Sequence, residues 1–321
     1  MKHDDWILVG VDGSPASKAA VGYACREAQR RHTGVRLLHA VPPYPTYSVL
    51  YPMPNLVEEE QFQKTGTAIL VISQRIAEEF LPADRIETVS VVGSPWSALL
   101  GASAHASPIV VGHDDVSLLE RLSMGATAAA VAAQATVPVV SVPSNFGRAP
   151  LHGRIAVGLA DFRATPVPLL RAAFEEAASR GAGLDIVHVW DLPPQYADIV
   201  VPELDFDDWM STVDAAIRNS CVELRQEFPE VDVEVKAACG QVSDVLRDAS
   251  WRADLLLLGR GGAHPTTHLG STGRALLKMS ACPVEVFPAL GDTAAAHGPK
   301  ASASQALEGG RAPDPGLSVP A

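Results

Sequence analysis

The chain has little of what would commit it to a familiar catalytic chemistry. Only four of its 321 residues are cysteine, at 25, 221, 239 and 282, and none forms a Cys-x-x-Cys pair. A disulfide framework or a cysteine-built zinc site is therefore not expected, and free thiols inside apolar patterns point to a reducing, cytoplasmic setting. Basic residues are outnumbered, 25 Lys and Arg against 37 Asp and Glu, for a net charge of -12. A broad nucleic-acid face needs clustered cations and is not expected. No Gly-x4-Gly-Lys-Ser/Thr occurs, which excludes a P-loop nucleotidase at the motif level. No Gly-x-Gly-x-x-Gly follows the first strand pattern, and no Gly-x-Ser-x-Gly elbow is present.

Long apolar runs are also missing. Leu122–Gly147 carries no charge, but it is mostly alanine and Pro138 divides it. A membrane span needs about 20 strongly apolar residues, so a buried helix followed by a buried strand is the better reading. The segment Met1–Trp6 shows no basic region leading into an apolar one, so no leader peptide is expected.

What the chain does have is a pattern stated twice. Trp6–Asp12, Gly34–His39, Val89–Gly93, Pro108–Gly112 and Val137–Pro143 return as Arg154–Gly158, Gly183–His188, Val233–Gly240, Asp254–Gly259 and Cys282–Pro288. His39 and His188 lie 149 positions apart, Gly112 and Gly259 147, and Pro138 and Pro283 145. Solenoid units repeat at roughly 20–50 residues, so this period marks a duplicated domain.

Within each half, short apolar runs alternate with helical stripes. Ile7–Val11 reads as a strand covered on both faces, and Ser14-Pro15 as the cap and first turn of a helix striped by Ala20, Val21, Ala24, Cys25 and Ala28. Ile155–Leu159, the cap Thr165-Pro166 and the stripe Leu169, Leu170, Ala173, Phe174 and Ala177 repeat this, with Gly181 at the helix end. Long helices are expected over 56–80 and 206–228, after proline-rich loops over 41–55 and 191–205. Ser94-Pro95 reads as another cap, and Trp209 and Trp251 as packing residues. Five strands alternating with four helices per half predict an α/β fold of two tandem five-stranded parallel-sheet domains, covered on both faces. The expected bounds are 1–147 and 154–290, with 148–153 as linker and 291–321 as a disordered tail.

The strand end Val11-Asp12-Gly13-Ser14, the turn Val92-Gly93-Ser94-Pro95, the strand end at Gly112 and the closing Cys282-Pro283-Val284 together resemble the universal stress protein family in its tandem form. The resemblance implies a Rossmann-like or flavodoxin-like nucleotide-binding sandwich, a regulatory or sensing role in the stress response, and no dedicated catalysis. It also implies an ATP site in some members, with magnesium arriving on the nucleotide. ATP-binding members carry Gly-x2-Gly-x9-Gly-Ser/Thr after strand four, an Asp after strand one, and main-chain contacts after strand two. In the first half Asp12, Val41, Gly112, Gly125 and Thr127 take those places, but Asp115 replaces the second glycine. Like charge beside a triphosphate favours loss of ATP binding there. In the second half Gly259, Gly262, Gly270, Ser271 and Thr272, with a basic Arg260, read either as a phosphate cradle or as a flexible loop after a buried strand. Its spacer is two residues short, and Ala160 stands where the family has Asp.

The expected function is thus a non-enzymatic module that binds ATP in its second half. A ligand-free scaffold and a weak ATP hydrolase are the alternatives. In the family the last strand pairs with that of a partner. Val137–Val142 and Pro283–Phe287 can meet within one chain and form an internal pseudo-dimer, removing two exposed edges. Association of two chains and an unidentified protein partner stay open. His264 and His268 lack further ligands nearby and read as surface residues. His39 and His188 read as hydrogen-bonded positions near strand ends.

Overall fold

The computed structural model describes residues 6–41, 56–114, 126–148, 150–160, 167–190, 206–260 and 269–288. In the first half, strands β1 (Trp6–Gly10), β2 (Val35–Val41), β3 (Ile86–Val92), β4 (Ala106–His113) and β5 (Val139–Pro143) alternate with helices. The helices are α1 (Pro15–Arg31), α2 (Leu56–Glu78), α3 (Pro95–Ala102) and α4 (Ala126–Gln134). The second half repeats the order with β6 (Arg154–Leu159), β7 (Gly183–Trp190), β8 (Val233–Cys239), β9 (Leu255–Gly259) and β10 (Val284–Phe287). Its helices are α5 (Val167–Arg180), α6 (Phe206–Ser220), α7 (Val222–Glu227), α8 (Val242–Ser250) and α9 (Ser271–Met279). The helix expected over 206–228 is therefore two helices, divided at Cys221.

All ten strands form one sheet in the order β3-β2-β1-β4-β5-β10-β9-β6-β7-β8. Pairing is parallel within each half and antiparallel where β5 meets β10. At that junction Glu285 lies opposite Val140, flanked by Val284 opposite Ser141 and Val286 opposite Val139. These strands are equivalents in the two halves, so a pseudo-twofold axis passes between Val140 and Glu285. The internal pseudo-dimer is realised, and among the described residues β3 and β8 are the sheet edges.

The helices start and stop for local reasons. The Ser14 hydroxyl accepts the Ser17 N–H at 3.1 Å, as an N-cap should. Ser94 caps α3 by backbone position, without a side-chain bond. Gly181, at φ +60°, ends α5 in the left-handed region that glycine tolerates. Thr165-Pro166 and the proline-rich loops lie outside the described residues, as do positions 291–321.

Three clusters make the core. Two are local to the halves: Ile7, Val9, Ala24 and Leu37 on the α1 face of the first, and Ile155, Leu170, Phe174 and Ile217 on the α5 face of the second. The third spans both halves, joining Leu8, Ile109 and Val131 to Leu256, Leu276 and Val284. Two cysteine and tryptophan expectations need correction. Cys239, at the end of edge strand β8, is exposed, while the other three cysteines are buried. Trp251 is 62% exposed at the end of α8, where the chain turns away from the core.

A candidate nucleotide cleft and the seam behind it

Parallel strands feed helices at their carboxyl ends, so helix N-termini gather on one edge of the sheet. In the first half that edge holds a cleft of about 210 Å³. It opens between β1 and β4, where the strand order reverses direction. Asp12 and Ser14 line one side, His39 and Ala40 the floor toward β2, and Gly112, Asp114 and Thr127 the side toward α4. Helices α1, α3 and α4 all begin at its rim, each directing a partial positive charge inward.

Several side chains are held in place before any ligand arrives. The Asp12 carboxylate accepts the Ser14 N–H at 2.9 Å, which fixes the turn into α1. His39 Nδ1 lies 2.7 Å from the Val11 carbonyl and donates to it. In a neutral ring that leaves the lone pair on Nε2. His188 repeats the contact with the Leu159 carbonyl at 3.0 Å, so both histidines serve the strand-end role expected of them. Gly112 has a reason of its own. A Cβ there would stand 2.7 Å from Ser17 N and closer still to the Ala16 carbonyl group. Its lack of a side chain lets α1 pack against β4, the helix-to-strand use of glycine.

The structure thus brings Asp12, Gly112 and Thr127 together. Val41, at the end of β2, is buried, is not among the described residues lining the cleft, and its carbonyl accepts the Gly93 N–H at 2.9 Å. In the second half Gly259 ends β9, and Gly270 caps α9 with Ser271 and Thr272 in its first turn. Among the described residues a Cβ at Gly270 would meet nothing within 4 Å. Gly125, Asp115, Gly262, His264 and His268 lie outside the described residues. Arg260, read from the sequence as part of the phosphate cradle, is 6% exposed and turned into the seam between the halves. It donates to the Ala132 and Ala135 carbonyls at 3.2 and 2.9 Å, at the end of α4.

His113 is the equivalent of Arg260, 147 positions earlier. Its Nδ1 lies 2.9 Å from Ser141 Oγ, which donates to the Leu277 carbonyl of α9 at 3.1 Å. Each half thereby reaches the carboxyl-terminal turn of the other half's last helix. Sequence reasoning missed this exchange; the signal was present in the shared register of the two halves.

A family description, the universal stress protein family, matches residues 5–143 and again 152–288. The chain belongs to the universal stress protein family. It does so in tandem, with one match in each half. A universal stress protein of Mycobacterium tuberculosis is 27% identical over 303 residues, covering 87% of this chain and 94% of that protein. One of Mycolicibacterium smegmatis is 28% identical over 291 residues, covering 87% and 96%. The crystal structure of a universal stress protein from Archaeoglobus fulgidus superposes with a TM-score of 0.60 at 17% identity, over 89% of this chain and 97% of that one. Among the described residues of this family member, no helix is long and apolar enough to cross a membrane. No group of three or more His, Cys, Asp or Glu there could hold a metal ion.

Proposed function

We propose that this universal stress protein is a non-catalytic, nucleotide-responsive regulator whose first-half cleft takes an adenine nucleotide. The observation that carries the reading is the cleft's position. It lies outside the carboxyl ends of β1 and β4, at the reversal of strand order, which is where open α/β sheets bind their ligands. Asp12 is suited to a ribose hydroxyl, and three helix N-termini offset its charge and that of Asp114. Magnesium would enter on the nucleotide's own phosphates, since the described residues offer no ligand set for it. A reducing cytoplasmic location suits the three buried free thiols.

A second site for ATP at 259–272 is supported by one observation: Gly270 and Ser271, both exposed, open α9 at its positive end. The loss of Arg260 to the seam weighs against it. Calorimetric titration with adenosine, AMP and Mg-ATP separates the two halves. Binding that falls at least about tenfold in Asp12→Ala and persists in Ser271→Asp places the nucleotide in the first half. The reverse pattern moves it to the second. No heat at millimolar ligand sinks both sites and leaves an interaction scaffold. No phosphate release above background is expected in any case.

A further inference from the structure

The seam carries a second feature on the opposite face of β5 and β10, where α1 meets α5. Glu27 and Arg31 of α1 are equivalent to Glu176 and Arg180 of α5, at the same offset of 149. The four residues exchange partners across the pseudo-twofold axis. Arg31 pairs with Glu176 at 2.8 Å, and Arg180 with Glu27 at 2.9 Å. Each arginine also pairs with the glutamate one turn before it on its own helix. Arg30 adds a contact to Glu176 at 3.0 Å, and Arg180 lies 3.3 Å from the Tyr23 hydroxyl.

Beneath this cluster the symmetry breaks. The first half places Val140 on the axis, and the second places Glu285, which is 2% exposed. Among the described residues Glu285 Oε2 has no hydrogen-bond partner. A carboxylate in that position would be a third buried anion facing Glu27 and Glu176, with Arg31 and Arg180 already engaged. A neutral carboxyl avoids the desolvation and the repulsion together. Burial first, then the Glu176 and Glu27 charges, push the Glu285 carboxyl up to about 8, against the opposing pull of Arg31 and Arg180.

We propose that Glu285 is a proton-binding site that governs the seam between the two halves: the docked seam takes the carboxyl protonated, and removing that proton loosens the pairing of β5 with β10. The sign follows from linkage. A group held neutral in the docked state and free to ionise in water favours docking fully below the ordinary glutamate range. That contribution is lost as pH rises through about 8. Between about pH 5 and 8 the opening equilibrium should rise roughly tenfold per pH unit, then level off. Among the described residues, the groups acting on Glu285 are Tyr23, Glu27 and Arg31 from α1 and Glu176 and Arg180 from α5. Burial opposes the charge on Glu176, but Arg180, Arg31 and Arg30 outweigh it and hold its carboxyl below the usual range. Burial raises the Tyr23 hydroxyl well above the usual tyrosine range. Neither therefore titrates in the same window.

Hydrogen–deuterium exchange of the full chain, corrected for intrinsic rates, tests this from pH 5.5 to 9. The wild type should open at 139–143 and 284–287 with the slope above, while 35–41 in β2 shows none of it. Glu285→Gln, which cannot ionise, should flatten the slope at the seam. Glu285→Val, which copies the residue across the axis, should do the same. An unchanged slope in both variants overturns the proposal, as does a slope shared equally by β2. Should neither variant fold, carboxyl ¹³C titration of the wild type decides. A Glu285 midpoint near neutral pH or above supports the site, and one in the ordinary glutamate range removes it.

Discussion

Gly112 and Ala16 touch backbone to backbone, so the strand that ends at the cleft and the helix that begins there are one packed unit. Gly112→Ala would push a methyl into the first turn of α1. We expect a loss of about 3 kcal/mol, at the upper end for an overpacked site, read as a lowered denaturant midpoint. Gly259→Ala, at the equivalent place in the second half, meets among the described residues only the Leu169 side chain at 3.5 Å. It should change stability by less than about 0.5 kcal/mol. Equal losses in the two variants would mean that α1 does not rest on Gly112.

Arg260 offers a test of seam against cradle. Its guanidinium holds two carbonyls at the end of α4. Arg260→Met should lower stability by roughly 2–3 kcal/mol, since a hydrogen bond to a charged donor contributes more than a neutral one. Nucleotide affinity should stay within about twofold of wild type by titration. A large drop in affinity with unchanged melting would return Arg260 to a phosphate-binding role.

The cysteines should separate by reactivity. Burial pushes the Cys25 and Cys282 thiols up to about 12 and also raises Cys221, so none of the three supplies thiolate at neutral pH. Cys239 is exposed. Native protein should release one equivalent of thionitrobenzoate from Ellman's reagent, and Cys239→Ser should release none until denaturant is added. More than one fast equivalent would contradict the burial of the others.

Two aromatic truncations should differ several-fold. Phe174 is fully buried on α5 and stacks near Phe228, with ring centroids 5.9 Å apart. Phe174→Ala should cost about 3–5 kcal/mol in the second half. Trp251→Ala should cost less than about 0.5 kcal/mol, because that ring is mostly in water. Thermal melts of the two variants give the comparison directly.

Local pattern alone determined the elements and their duplication. Unbroken apolar runs such as Ile7–Val11 and Leu255–Leu258 can only be strands covered on both faces, and the capping Ser14 and the terminal Gly181 mark helix ends by backbone chemistry that acts over a few residues. The meeting of β5 and β10 was expected too, from the family resemblance and from the cost of leaving two strand edges unpaired. What tertiary structure decided were the roles of individual polar residues. Arg260 reads as a phosphate ligand when seen beside glycines, yet in the fold its guanidinium donates to carbonyls at the end of α4. Val41 was read for its main chain, and in the fold its carbonyl already accepts the Gly93 N–H. Trp251 looked like core and faces water, because a tryptophan on a helical stripe does not reveal where the helix ends relative to its neighbour. Glu285 drew no attention in an apolar strand. Its meaning comes from Glu27 and Glu176, which are distant in sequence and are brought to it only where α1 and α5 pack over the seam. Periodicity is written in neighbouring residues, whereas a charge takes its function from whatever the folded chain places against it.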